Sequence, residues 1–335
     1  MKTSIVVTTI NKPNKVIKKL SRRTKAKNWN LVIIGDEKTT NKFKLNYGDF
    51  YSINDQIKIG LKFAKICPKN NYSRKNIGYL ISMKKTKVII ETDDDNFPKD
   101  SFFSNRKACH YVNEIENKGW INIYDYFLKK KEFIWPRGLP LDELNNNIQI
   151  SKKTVKKNFY IQQNVCDNNP DVDSIYRIIH SKINIKFKNK KISLGNSLST
   201  FNSQNTTWFK EVFILMYLPV TCTMRCTDIW RSIIALRIMH IDKKKILFNG
   251  PTMSQFRNEH NLIRDFTDEI PMFENNKIIY KLLLQLKLKK GQKYYSENLY
   301  KCYKKLVNEG ILKKKELIYL KAWISDYKKI TKGSC

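Results

Sequence analysis

This sequence is short of several things, and each shortage removes a class of protein. No apolar run reaches the roughly 18 residues that a membrane-spanning helix needs; the longest candidate, Val212–Val220, stops well before that. No leader-type segment precedes the first strand, so a soluble chain is expected. Cysteine is sparse, with seven residues scattered along 335. Only Cys222 and Cys226 are neighbours, and C-x3-C without a second Cys/His pair is a poor zinc signal. Free thiols in a reducing, cytoplasmic setting are the expectation. Internal repeats are missing, as are zinc-finger spacings, Arg-rich arms and aromatic RNA-binding signatures. Acidic side chains are also few, with 30 Asp and Glu against 64 Lys and Arg and a formal charge of +34. The lysines are spread along the whole length, so no specific nucleic-acid partner is expected. Such a charge still attracts anionic substrates and anionic membrane surfaces, including peripheral contact by a basic helix.

What is present suits a folded protein. A hydrophobic fraction of 41% and an aromatic fraction of 12% can fill the core of one large or two ordinary domains. Within this basic chain, the run Val88–Asn96, V-I-I-E-T-D-D-D-N, is the most informative stretch. Val88, Ile89 and Ile90 have the composition of a strand buried on both faces. Strand alternation would place Asp93 and Asp95 on one face and Asp94 on the other. Three carboxylates ending a buried strand repel one another, and a hard divalent cation, Mg2+ or Mn2+, would compensate them while accepting phosphate oxygens.

The neighbouring segments fit this site. Ser4–Ile10 reads as a β-branched strand ending at Asn11, with Pro13 suited to the first turn of a helix. Asn30–Ile34 is a second strand, closed by Gly35 and Asp36. Ser52 to Cys67 shows helical spacing, with Ile53, Ile57, Leu61 and Ala64 on one stripe. Tyr72–Met83 reads as another helix, in which Ser73 could cap and Gly78 could allow close approach. Alternating strand and helix predicts an α/β fold with a mostly parallel central sheet, whose ligands sit outside the carboxyl ends of the strands. Asn11, Asp36 and Asp93–Asp95 all fall at such ends. Further on, Ile121–Phe127, Phe159–Val165 and Ile183–Phe187 read as strands, and Thr227–Ile241 and Asn258–Glu269 as helices. In the second helix Leu262, Ile263 and Phe266 would be the buried side. From about Asn276 the Lys-rich tail reads as three amphipathic helices, with Ile278, Leu282 and Leu286, then Leu299, Tyr303 and Leu306, at helical spacing. The expected division is a sheet domain over 1–270 and a helical extension over 271–335.

Several stretches resemble one family. They run V-V-T-T-I-N, W-N-L-V-I-I-G-D-E-K-T, Y-S-R-K-N-I-G-Y-L, E-T-D-D-D-N, W-P-R-G-L-P-L and Q-Q-N-V-C-D-N-N-P-D-V-D-S-I-Y-R. They continue as L-P-V, T-D-I-W-R-S and G-P-T-M-S-Q-F-R-N-E-H-N-L-I-R-D-F. In this order they cover about residues 1–270 and resemble the STELLO-like family of glycosyltransferases. The D-D-D and R-G-x-P elements are more distantly similar to the UDP-arabinopyranose mutase (reversibly glycosylated polypeptide) family.

The resemblance implies a GT-A-like (Rossmann-like) fold and a metal-dependent glycosyltransferase. It would use a nucleotide-diphosphate sugar, UDP-linked first, and an unknown glycan or protein acceptor. Alternatives are a non-catalytic scaffold that binds nucleotide sugars within a glycan-assembly complex, and a sugar-nucleotide mutase. The implied metal ligands are Asp95 directly, Asp93 on the ribose or through water, and His260 as a late ligand to metal or diphosphate. Thr8, Asn11 and Asp36 would line the nucleoside pocket, and Asp94 would face the sugar. Arg74 and Asn76 match an R-x-N-x-G pattern suited to phosphate. Arg137 would contact substrate, and in the mutase family the matching arginine accepts a sugar. Asp228, opening a helix, is the candidate base of an inverting transfer, or a partner of Arg231. Asp171 and Asp173 are alternative bases or a turn and helix cap.

Overall fold

The computed structural model describes residues 2–40, 43–115, 119–130, 132–144, 150–180, 182–257 and 261–332. The amino-terminal half alternates strand and helix. It contains β1 (Thr3–Thr9), α1 (Lys15–Lys27), β2 (Asn30–Gly35), β3 (Asp49–Tyr51), α2 (Ile53–Lys58), α3 (Lys62–Ile66), α4 (Lys75–Met83) and β4 (Val88–Asp93). Then come β5 (Asn96–Pro98), β6 (Cys109–Ile115), β7 (Gly119–Trp120), β8 (Ile150–Asn158), β9 (Ile161–Asn168), α5 (Ser174–Ile179), β10 (Lys191–Ser193), β11 (Ser197–Leu198) and β12 (Asn205–Phe209). The chain closes with α6 (Thr227–Ile241), β13 (Leu247–Gln255), α7 (Leu262–Leu284), α8 (Tyr295–Asn308) and α9 (Glu316–Lys332).

One large sheet has the order β3-β2-β1-β4-β12-β9-β13-β10-β6-β8, with β5 added to β13. The first four strands are parallel, and Thr8 lies beside Asp93 in register. β1, β2 and β4 are buried on both faces between helix layers, which explains their unbroken β-branched runs. Beyond β4 the sheet becomes mixed. β12 runs antiparallel to both β4 and β9, whereas β13 is parallel to β9. The predicted parallel signature therefore describes one half of an α/β sheet flanked by helices.

Local signals explain most element ends. Asn14 caps α1 by accepting from the Ile17 amide, and Asn28 closes it in the left-handed region at φ 51°. Pro13 lies just before that cap rather than inside the first turn. Gly78 lets α4 lie against the sheet, since a Cβ there would stand 2.6 Å from Val6 Cγ1.

Several sequence expectations need correction. The single helix expected over Ser52–Cys67 breaks into α2 and α3, because Gly60 adopts φ 78°; Ile57 is consequently exposed. The expected strand at 121–127 is a 3-10 turn, Ile123–Tyr126, started by Asn122, whose side chain accepts from the Tyr124 amide. Residues 183–187 form only isolated bridges, Leu128 with Phe187 and Asn168 with Ile185. α4 is preceded by a 3-10 turn capped by Asn71, not Ser73.

The carboxyl-terminal helices are also phased differently. α7 runs continuously through Pro271 and across position 270. Its buried face carries Met272, Ile279 and Leu283, so Ile278 is exposed. Leu262 and Ile263 are exposed too, because Asp265 and Glu269 take the inward positions and pair with Arg257 and Arg225. Leu299, Tyr303 and Leu306 are buried as their spacing predicts.

Buried acids tie this tail to the sheet. Asp326 accepts the Lys62 and Phe63 amides at 3.0 and 2.8 Å, capping α3. Glu316 accepts the Thr221 amide at 2.8 Å and the Tyr217 hydroxyl at 2.5 Å. No helix among the described residues is long and apolar enough to cross a membrane.

Below the end of β4, Glu91 is fully buried and accepts Arg231 at 2.8 and 2.9 Å and the Trp208 indole at 2.7 Å. Removing one partner strands the other charge without water. Arg231→Met is expected to destabilise by about 3–5 kcal/mol in denaturant unfolding, with part of the loss recovered in the double variant with Glu91→Gln. Equal stability of wild type and the single variant would refute this account of the core.

Candidate functional site

The carboxyl ends of β1, β2 and β4 open into a cleft of about 620 Å3. Thr8, Asn11, Asp36, Asp93, Asp94, Asp95, Arg137, Asp171 and Asp228 all line it. Residues far apart in the chain thus meet at one rim.

The acid triad does not follow strand alternation, because β4 ends at Asp93 and the next two residues form a turn into β5. Each carboxylate turns to a different wall. Asp93 Oδ1 accepts Lys75 Nζ at 2.7 Å and the Tyr72 hydroxyl at 2.8 Å. Asp94 Oδ2 accepts the Thr9 hydroxyl and, at 3.1 Å, the Asn11 amide. It therefore fastens the turn to the end of β1. Asp95 Oδ2 accepts Gln255 Nε2 at 2.9 Å, on the last residue of β13. Burial, then the Asp93 charge, push the Asp95 carboxyl up to about 6.

Nothing in the sequence singles out Lys75, because lysine is abundant. Its side chain is fully buried and bonds Asp93, the Tyr72 hydroxyl and the Ser203 carbonyl. A buried lysine in a chain of solvated ones marks a defined electrostatic task. Burial raises the Asp93 carboxyl above its ordinary value, and the Lys75 and Tyr72 contacts offset only part of that rise.

A chain of polar contacts crosses the cleft floor from here. The Tyr72 hydroxyl meets Ser203 Oγ at 2.5 Å, and Ser203 donates to Asp228 Oδ2 through its amide at 3.0 Å and its hydroxyl at 3.1 Å. Arg137 bridges Asp228 at 3.1 Å and Asp171 at 2.9 Å, and donates to the Arg225 carbonyl. Its charge holds the Asp171 carboxyl well below the usual carboxylate range despite burial. Arg137 is buried, which does not suit it to carry a covalent sugar. Asp228 pairs with Arg137, while Arg231 turns inward to Glu91. Asp173 caps α5, accepting the Tyr176 amide at 2.8 Å and the Trp135 indole at 2.5 Å.

Other predicted residues have structural partners. Arg74 lines the cleft, yet its guanidinium bonds Gln56 Oε1 and the Cys67 and Pro68 carbonyls. Asn76 is buried away from the cleft and clamps Leu218 through both its amide and its carbonyl. Asp36 spends both oxygens on backbone amides, those of Glu37 and Asn70 on Oδ1 and of Asn71 on Oδ2. It shapes the loop at that side of the cleft. His260 lies outside the described residues. Cys222 and Cys226 are free thiols.

Among the described residues no three His, Cys, Asp or Glu side chains close into a preformed metal cluster. The donor set nonetheless suits a hard cation that takes one or two carboxylates and completes its shell with phosphate and water. Asp95 meets only amide donors, and Gln255 Oε1 beside it is a buried acceptor without a partner.

Comparison with known proteins finds similarity to one family. A family model described as STELLO glycosyltransferases matches residues 225–332, which include the helical tail. Two Arabidopsis thaliana proteins, named Probable glycosyltransferase STELLO1 and Probable glycosyltransferase STELLO2, are each 24% identical over 346 residues. The aligned region takes in 96% of this chain and 44% of each relative, so the chain spans less than half their length. Among solved structures, one titled Crystal Structure of a Mycobacterial Protein superposes with a TM-score of 0.42 at 9% identity. It covers 84% of this chain and 73% of that one, a likeness too slight to argue from. Over most of its length the chain is similar to the two Arabidopsis thaliana proteins.

The raised Asp95 carboxyl has a definite sign. The folded state binds its proton more tightly than the unfolded state does, so stability of the ligand-free protein falls as pH rises from 3.8 through about 6. Asp95→Asn is expected to stabilise at about pH 7.5 by up to roughly 3 kcal/mol and to change little near pH 4, read by thermal unfolding. A destabilised variant at the higher pH would overturn this.

Proposed function

We propose that the protein is a metal-dependent glycosyltransferase that moves a sugar from a nucleotide-diphosphate donor, UDP-linked first, to an acceptor hydroxyl. The observation that carries this reading is the convergence of three strand ends and the acid triad on one cleft. Thr8, Asn11 and the Asp36 loop would border the nucleoside. Asp95 and the free Oδ2 of Asp93 would hold Mn2+ or Mg2+. That cation would supply positive charge against the diphosphate as it departs. Asp94, bound to Thr9 and Asn11, would position the turn rather than react.

Asp228 is the proposed base. Its Oδ1 receives one donor, Arg137, which leaves a lone pair for a substrate proton. In the transfer, the acceptor oxygen bonds to the anomeric carbon while the bond from that carbon to the diphosphate oxygen breaks. The acceptor proton passes to Asp228, and the nucleoside diphosphate leaves with the bonding pair. Arg137, clamped by Asp171, would orient Asp228 during this step.

Calorimetry with UDP and UDP-glucose, with and without Mn2+, tests the reading. Binding is expected to need Mn2+ and to weaken tenfold or more, on the order of a lost charged contact, in Asp95→Ala and Asp93→Ala. Metal-dependent binding that survives both changes would sink it. Asp228→Asn is expected to leave donor affinity unchanged and to slow turnover, or donor hydrolysis, about a hundredfold.

A further inference from the structure

The cleft has a second end that the donor reading leaves unused. Beyond Arg137 it is bordered by Met224, Arg225 and Arg264. The floor chain of Tyr72, Ser203, Asp228 and Arg137 runs on to the Arg225 carbonyl, which holds this loop against the cleft. Among the described residues, Arg177 and Arg264 form no ion pair with a carboxylate, although Asp171 acts on Arg177 from nearby. Arg225 pairs with Glu269 at 2.7 Å, but Glu269 also serves the amide and hydroxyl of Ser174. Arg257 pairs with Asp265. Arg264 is exposed on the cleft wall.

Arg177 is the anomaly. It is 6% exposed, and its guanidinium reaches only neutral oxygens, the Asn169 side chain and the Pro170 carbonyl at 2.9 Å. Its buried Nε has no hydrogen-bond partner. A buried cation without a carboxylate is costly. Burial first, then the nearby Arg257 charge, lower its hold on its proton to about 9. Arg257 is lowered in the same way by burial and by Arg225. Arg177 and Arg257 do not line the cleft but feel the charge of Arg225, which does, and arginines that repel one another are stabilised together when an anion arrives nearby.

We propose that this arginine-rich end binds an acidic group, a carboxylate or a phosphate, carried by the acceptor rather than by the donor's diphosphate. This rests on the glycosyltransferase reading and names the class of acceptor that it leaves open. Arg264 would meet the group at the rim, with Arg225 beside it and Arg177 and Arg257 adding charge from behind. The arginine fork suits both oxyanions.

The test uses the full chain with inorganic phosphate and with glucuronate as probes, each titrated alone and with UDP and Mn2+ saturating. One probe at least is expected to bind, to bind equally well beside UDP, and to weaken about tenfold in Arg264→Gln and Arg177→Gln. UDP affinity should stay as in wild type in both variants. Arg264→Gln changes an exposed side chain, so a folding defect in the buried variant does not decide the result. The two probes separate a phosphorylated from a carboxylated acceptor. Mutual exclusion of probe and UDP would assign the arginines to the donor diphosphate and overturn the proposal, as would binding unchanged in both variants or no binding of either probe. Failure of UDP to bind wild type would instead sink the donor reading, while the probe titrations alone still report on this site.

Discussion

The cleft depends on one guanidinium. Arg137 bonds Asp171, Asp228 and the Arg225 carbonyl, joining three segments that the sheet alone would leave separate. Apart from the first turn of α6, these segments are irregular loops, so polar bonds rather than ladder pairing hold them. Asn202 adds to the same knot by donating to Asp171 at 2.8 Å. Two buried carboxylates around one arginine are stable only as a set, because loss of any member leaves a charge without water or partner.

The same logic governs the chain's few acids. With 30 acidic against 64 basic side chains, many carboxylates sit inside and make structure. Glu91 anchors α6 to the sheet through Arg231, Glu269 holds α5 and Arg225, and Asp326 and Glu316 bind the last helix to the body. The lysines are left mostly on solvated faces, where they set a positive field without defining a site. Lys75 and Lys245 are buried, and it is the position of Lys75 under Asp93 that makes it informative. Four of the eleven arginines, Arg177, Arg225, Arg257 and Arg264, lie close enough on one side of the cleft to act on one another or on the cleft.

How much of this was legible follows from which interactions are local. The β1, β2 and β4 strands were readable because burial on both faces demands unbroken β-branched runs, and their ends pointed to Asn11, Asp36 and Asp93. Helix phase was less secure. Ile278 looked like a core position by spacing, yet α7 turns Met272 and Ile279 inward. Gly60 interrupted an apolar stripe that had read as continuous. The functional assignments diverged most where one residue could serve either role. Arg74 and Asn76 matched a binding pattern, but backbone carbonyls and Leu218 claim them. Lys75, between them, carries the contact to the acid triad, and nothing in its composition set it apart.

The sequence by itself determined the parallel half of the sheet and the acidic turn at its edge, since hydrophobic periodicity acts over a few residues. Only the tertiary structure decided which charges meet. Partners such as Arg137 and Asp228 lie 91 positions apart, and no short-range rule selects one carboxylate for one guanidinium among so many cations. That choice is made by burial, which removes water as the competing partner and leaves each charge to find its opposite.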